Sequence, residues 1–231
     1  MDEPAVPPGI LGPKDVYEML GEALNRIHRV KNALGIVEQS KPPPLKAAVQ
    51  PSQVFIAIVD ANREVNGLLD QQFSPGDVFQ QVTVAVANTA RLLDSPGEIS
   101  TPPDVPEFER RKRPTDVYRR LLDCFEKVCR VGEISKVPML RIELAEEQIE
   151  KAEPSDVYDI ASLLVSELTY LRRRLPVSAP PRRTYSPGRK LPSHVYQRAG
   201  ILQTQLGALI ARAERNPGWL GKQDEAPPPK P

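Results

Sequence analysis

The sequence predicts an all-α protein, and three observations carry that prediction. A five-residue pattern (Pro, any residue, a polar residue, Val, an aromatic) occurs six times, at 13–17, 51–55, 75–79, 114–118, 154–158 and 192–196. Behind each occurrence, apolar residues recur at offsets 0, 4, 7, 11 and 14 from the motif Val, the spacing of one face of an α-helix and not of a strand. Finally, only 5% of residues are aromatic while 40% are hydrophobic, so the apolar content is mostly aliphatic, which suits helices.

The columns read Val16, Leu20, Ala23, Ile27, Val30; Val54, Ile58, Ala61, Val65, Leu68; Val78, Val82, Ala85, Thr89, Leu92; Val117, Leu121, Cys124, Val128, Val131; Val157, Ala161, Leu164, Leu168, Leu171; and Val195, Ala199, Leu202, Leu206, Leu209. Thr89 is the one polar intrusion. Consecutive motif valines lie 38, 24, 39, 40 and 38 residues apart. The expected unit is therefore about 39 residues, one helix plus a proline-laden link, with one shortened unit between 54 and 78. This period is neither tetratricopeptide nor ankyrin, and the marker residues of those repeats are missing.

Each element then follows in order. Residues 1–11 are Pro-rich and expected to be flexible. The first helix spans 14–34, with Gly35 as its stop. After Pro42-Pro43-Pro44 comes a helix over 52–69, joined by a short connection to one over 76–93. A link over 94–113 holds four prolines and ends in Arg110-Arg111-Lys112-Arg113. Helices over 115–131 and 155–174 follow, with a short extra helix at 144–151 between them. The last helix spans 193–215 and stops at Asn216-Pro217-Gly218. One repeat domain is thus expected over 12–217, and a flexible Pro-rich tail over 218–231.

The residue before the motif's polar position (Ser52, Gly76, Thr115, Ser155, Ser193) is expected to cap the helix, Lys14 being the misfit. Asp15, Asp77, Asp116 and Asp156 then fall in the first turn, facing the positive end of the dipole. Capping explains these carboxylates better than acid–base catalysis does. The motif aromatics are expected to pack on a neighbouring helix and not to form a cofactor box.

Links of about 15 extended residues reach roughly 50 Å, beyond the roughly 30 Å length of a 20-residue helix. They could return the chain to the same end, giving parallel helices. An up-and-down bundle is the competing arrangement.

Composition bounds function. A net charge of +1 argues against a globally basic nucleic-acid binder and against an acidic disordered chain. The 26 prolines, about twice the usual share, mark long connections. No apolar run reaches the roughly 18 residues of a membrane span, and the first residues do not form a signal peptide. The expectation is a cytoplasmic protein, the alternative a periplasmic or secreted mature chain. Cys124 and Cys129 lie five apart on one helix, pointing roughly 140° from each other, so neither a disulfide nor a shared metal site is natural. Cys124 belongs to the core column.

Chemistry is sparse. His28 and His194 have no nucleophile motif beside them, and there is no phosphate loop, paired-histidine metal motif or calcium loop. No catalytic, cofactor-binding or metal-ligating residue is assigned. The strongest charge feature is Arg172, Arg173, Arg174, Arg182, Arg183, Arg189, Lys190 and Arg198, with no acidic residue among them. It could contact an anionic partner, although Arg172 to Arg174 also suit a helix C-terminus. The expected function is a non-enzymatic helical-repeat scaffold or accessory protein acting through protein–protein contact or self-association. One alternative is a bundle holding a small apolar ligand or cofactor. Another is nucleic-acid or anionic-surface binding through 172–198.

Overall fold

The computed structural model describes residues 13–36, 53–54, 57–58, 60–61, 64–65, 73–94, 104–142, 144–175 and 187–220. Described residues are helical or irregular, with no strand among them, so the protein is all-α. The helices are α1 (Pro13–Ala33), α2 (Pro75–Leu93), α3 (Pro114–Ile134), α4 (Glu146–Glu150), α5 (Pro154–Arg173) and α6 (Pro192–Arg215). Every described residue between 53 and 65 is helical too. Among the described residues, no helix is long and apolar enough to cross a membrane.

Two compact units divide the chain, residues 1–48 and 49–231. In the first, α1 ends as expected at Gly35, whose φ of 71° lies in the left-handed region that glycine adopts without strain. The Ile36 N–H reaches back to the Lys31 carbonyl at 2.9 Å, closing the helix end.

The second unit is built around α2, α3, α5 and α6. Helix α2 packs on α5 and α6, and α3 packs on the same two, so α2 faces α3 across the axis and α5 faces α6. All twenty column residues of these helices are buried, and the nineteen other than Thr89 belong to one hydrophobic core. Thr89 fits there because its hydroxyl donates to the Ala85 carbonyl at 3.0 Å, leaving no unpaired polar atom.

All four helices start at one end of the bundle. Their first-turn residues, Pro75 and Val78, Pro114 and Val117, Pro154 and Val157, Pro192 and Val195, line one common opening. The helices therefore run parallel, and the described parts of the links travel back along the bundle. The link before α3 shows how: the Pro106 carbonyl accepts from Gln197 Nε2 at 2.8 Å, and the Lys112 N–H donates to Ser193 Oγ at 3.2 Å. It descends α6 in reverse. Residues 137–142 and 144–146 do the same along α3, from the Gly132 carbonyl, which accepts from Val137 N at 2.8 Å, to the Arg119–Glu146 ion pair.

Two glycines permit that close approach. A Cβ on Gly132 would lie 2.1 Å from Met139 Cγ, and one on Gly200 would lie 2.9 Å from Pro106 Cγ.

Three expectations are corrected. The N-caps are the residues before each proline (Ser74, Arg113, Glu153 and Leu191), two positions earlier than expected. Proline's fixed φ suits the first helical position, while the residue ahead of it is pushed into extended backbone, which is what a cap needs. Secondly, the tail does not begin at 218. Leu220 is fully buried in the core, and Trp219 donates Nε1–H to Ser135 Oγ at 3.0 Å. Thirdly, the apolar column is exposed wherever it is described in α1 and in 53–65, where the sequence pattern gives all six columns the same buried role.

Candidate functional site

The parallel arrangement gathers four helix N-termini, and with them four positive dipole ends, on one face. In each helix the third residue answers with an acceptor. Asp77, Asp116 and Asp156 take the backbone N–H of their caps at 2.8, 2.7 and 2.8 Å. His194 does the same through Nδ1 toward Leu191 N–H at 3.0 Å, so this imidazole nitrogen carries no proton while the bond is made. Only Ser74 returns the bond with its own hydroxyl, to Asp77 N–H at 3.3 Å. The acidic positions are therefore spent on their own helices.

The motif aromatics join neighbours around the ring. In three of the four helices, the residue three after the motif Val contacts the aromatic of the next helix. Gln81 Nε2 donates to Tyr158 Oη at 3.1 Å, the Arg120 guanidinium sits 3.6 Å above the Tyr196 ring, and that of Arg198 sits 5.1 Å above Phe79. These are the interhelical contacts expected of the aromatics, and each cation gains from the ring's negative face.

Inside that ring lies an apolar opening of about 60 Å3, walled by the four prolines and four valines. A dry cavity of about 150 Å3 is what holds a benzene molecule. The opening admits an aliphatic side-chain tip and is too small for a pigment or flat cofactor.

The basic residues singled out in the sequence are not one patch. Arg172 is buried near the C-terminal end of α5, where its Nε–H donates to Asn88 Oδ1 at 2.9 Å. Arg173 is exposed in that turn, and Arg174 donates to Tyr170 Oη at 2.7 Å. Lys190 and Arg198 instead flank Phe79 at the opposite end, with Arg189 exposed before them. Parallel helices put these two groups a helix length apart, on the order of 30 Å. Arg182 and Arg183 lie outside the described residues. Burial lowers the Arg198 pKa from its ordinary value; for Arg172 burial does so first and neighbouring Arg173 and Arg91 second.

Both cysteines are free. Burial pushes the Cys124 thiol up to about 12 and that of Cys129 up to about 11, so both are protonated at neutral pH and poorly nucleophilic. Cys129 donates to the Leu140 carbonyl at 3.2 Å, holding the returning link.

What the four-helix ring buries, α1 and 53–65 show to solvent. Leu20, Ile27 and Val30 are 50, 52 and 59% exposed, and Val54, Ile58 and Val65 are 40, 44 and 45% exposed. Equivalent column positions in α2, α3, α5 and α6 are at most 3% exposed. Outside 20–36 and 54–65, the exposed large apolar residues among those described are Val105, Phe108 and Leu191. The sequence pattern makes all six columns look alike, and no local signal distinguishes the exposed pair. Comparison with protein-family models, with curated proteins and with solved structures finds no match for this chain.

Proposed function

We propose that this chain is a non-enzymatic helical-repeat scaffold that acts by binding protein. Its unit is the proline-led helix with a link of about 39 residues in total, used four times to build a closed bundle and twice more as exposed helices. The observation that carries the reading is the contrast in exposure between the same column positions in the two settings. Exposing several Leu, Ile and Val side chains along one stripe is unfavourable by about 25 cal/mol per Å2 of apolar surface. A stripe of this kind marks a surface for another macromolecule. An apolar stripe along one side of a helix suits a partner helix.

The test is capture from the native host with the intact protein and with Ile27→Asp/Val30→Asp. The reading expects at least one specific partner, which includes the chain itself, to be held by the intact protein and lost with the substituted column. An identical set of captured proteins from both would contradict it.

A further inference from the structure

We infer that one side of the end where the four helices start binds an acidic peptide segment carrying an aliphatic side chain. The surface is separate from the exposed columns of α1 and 53–65, lies wholly within the unit 49–231, and does not depend on what those columns bind. Two stretches far apart in sequence build it. The Lys112 N–H donates to Ser193 Oγ and the Phe108 ring lies 5.0 Å from that of His194, so 108–113 runs against the first turn of α6. Arg113 and Leu191 directly precede Pro114 and Pro192, two of the prolines that wall the apolar opening.

The cations on this side divide into two sets. Lys112, Arg120 and Arg198 lie over motif aromatics, and Lys112 also pairs with Glu109 at 2.6 Å. Arg110, Arg111, Arg113 and Arg189 are exposed, and among the described residues their guanidinium groups form no ion pair. Arg111 sits at φ 61°, in the left-handed region that glycine adopts without strain and other residues do not. Folding alone favours glycine there; a free positive charge stands in its place.

Exposed apolar side chains fall on the same side. Beyond 54–65, the exposed large apolar residues described in this unit are Val105 and Phe108 on the link before α3 and Leu191 ahead of α6. Free cations call for anions, and exposed apolar groups for an apolar surface. Both demands are met by an acidic segment with an aliphatic side chain, whose tip the opening of about 60 Å3 admits.

Other polyanions fit this surface less well. A phosphate backbone brings no aliphatic group to the opening. A lipid surface would cover the whole end of the bundle, where Glu153, the cap of α5, and Glu150 are exposed and would meet anionic headgroups. A peptide occupies the basic side alone.

The experiment is fluorescence anisotropy of the full chain with a labelled Asp/Glu-rich peptide holding one central leucine, read beside methyl NMR. The expected result is saturable, salt-sensitive binding that shifts the Val117 and Val195 methyl signals. Affinity should fall about tenfold in Arg110→Gln/Arg111→Gly/Arg113→Gln, the sum of several exposed charge contacts. That variant should melt no lower than the unmodified protein, because the three side chains are exposed and glycine suits the Arg111 backbone. Arg110→Gln/Arg113→Gln, which leaves Arg111 in place, should show most of the loss, and replacing the peptide's leucine by asparagine should weaken binding as well. No binding, undiminished binding by both variants, unmoved Val117 and Val195 methyls, or tighter binding of a single-stranded oligonucleotide or of phosphatidylserine vesicles would overturn the inference.

Discussion

At the scale of residues, the core column and the third helical position explain most of the sequence's regularity. Leu206 is fully buried in the ring, so Leu206→Ala should lower stability by about 2–5 kcal/mol, read from denaturant melts. Asp116 holds the Arg113 N–H at 2.7 Å at the start of α3. Asp116→Ala should cost about 1 kcal/mol, while Asp116→Asn should recover most of it if the hydrogen bond outweighs the charge. Equal melts for all three proteins would show that the cap contributes nothing.

Glu167 makes a pH-dependent case. Burial holds its carboxyl above the ordinary 4.5, against the smaller opposing pull of a hydrogen bond to the Leu140 backbone. A raised folded-state value means that folding favours the protonated form, so the ionised group costs stability above that value and costs nothing below the ordinary one. Glu167→Gln should therefore raise the melting temperature at pH 7, and the gain should fade as pH drops toward 4.5. A gain that grew on acidification would have the wrong sign.

At the scale of elements, existence and phase were legible in the sequence, because five apolar positions per helix fix which face is apolar and a proline fixes where the helix begins. The cap position was not legible by counting serines and threonines. Proline at the first position hands the cap to whatever precedes it, and Arg113, Glu153 and Leu191 are poor cappers by type. Trp219 and Leu220 were missed because they follow a stop signal, Asn216-Pro217-Gly218, and have no periodicity of their own. Their burial over the C-terminal end of the core is a tertiary event.

The links are as informative as the helices. Gly132 lets residues 137–139 lie flat on α3, with a Cβ there meeting the Val137 carbonyl at 3.0 Å as well as the Met139 side chain. Alanine would gain about 1 kcal/mol of helix propensity and lose about 1–3 kcal/mol by overpacking. Gly132→Ala should thus be neutral to destabilising and should speed amide exchange along 137–142; a stabilised protein with unchanged exchange would refute the close-approach role.

At the scale of the whole molecule, what the sequence withheld is which columns share a core. Apolar spacing says that each helix wants neighbours, but the number that closes is set by geometry around an axis, and here four suffice. The same geometry divides the basic residues, since 172–174 end one parallel helix while 189–198 begin another. Their closeness in sequence becomes separation in space because α5 ends at one end of the bundle and α6 begins at the other.

Helix direction carries the heaviest weight in this account. Spin labels at Thr115→Cys and Ser155→Cys, in a Cys129→Ser background, report it directly, because both positions sit in the first turn of adjacent helices. Parallel helices packed about 8–10 Å apart predict a narrow distance distribution below about 20 Å once label length is included. A distance on the order of 30 Å, a full helix length, would mean that α3 and α5 run in opposite directions, and the ring of four starts would not exist.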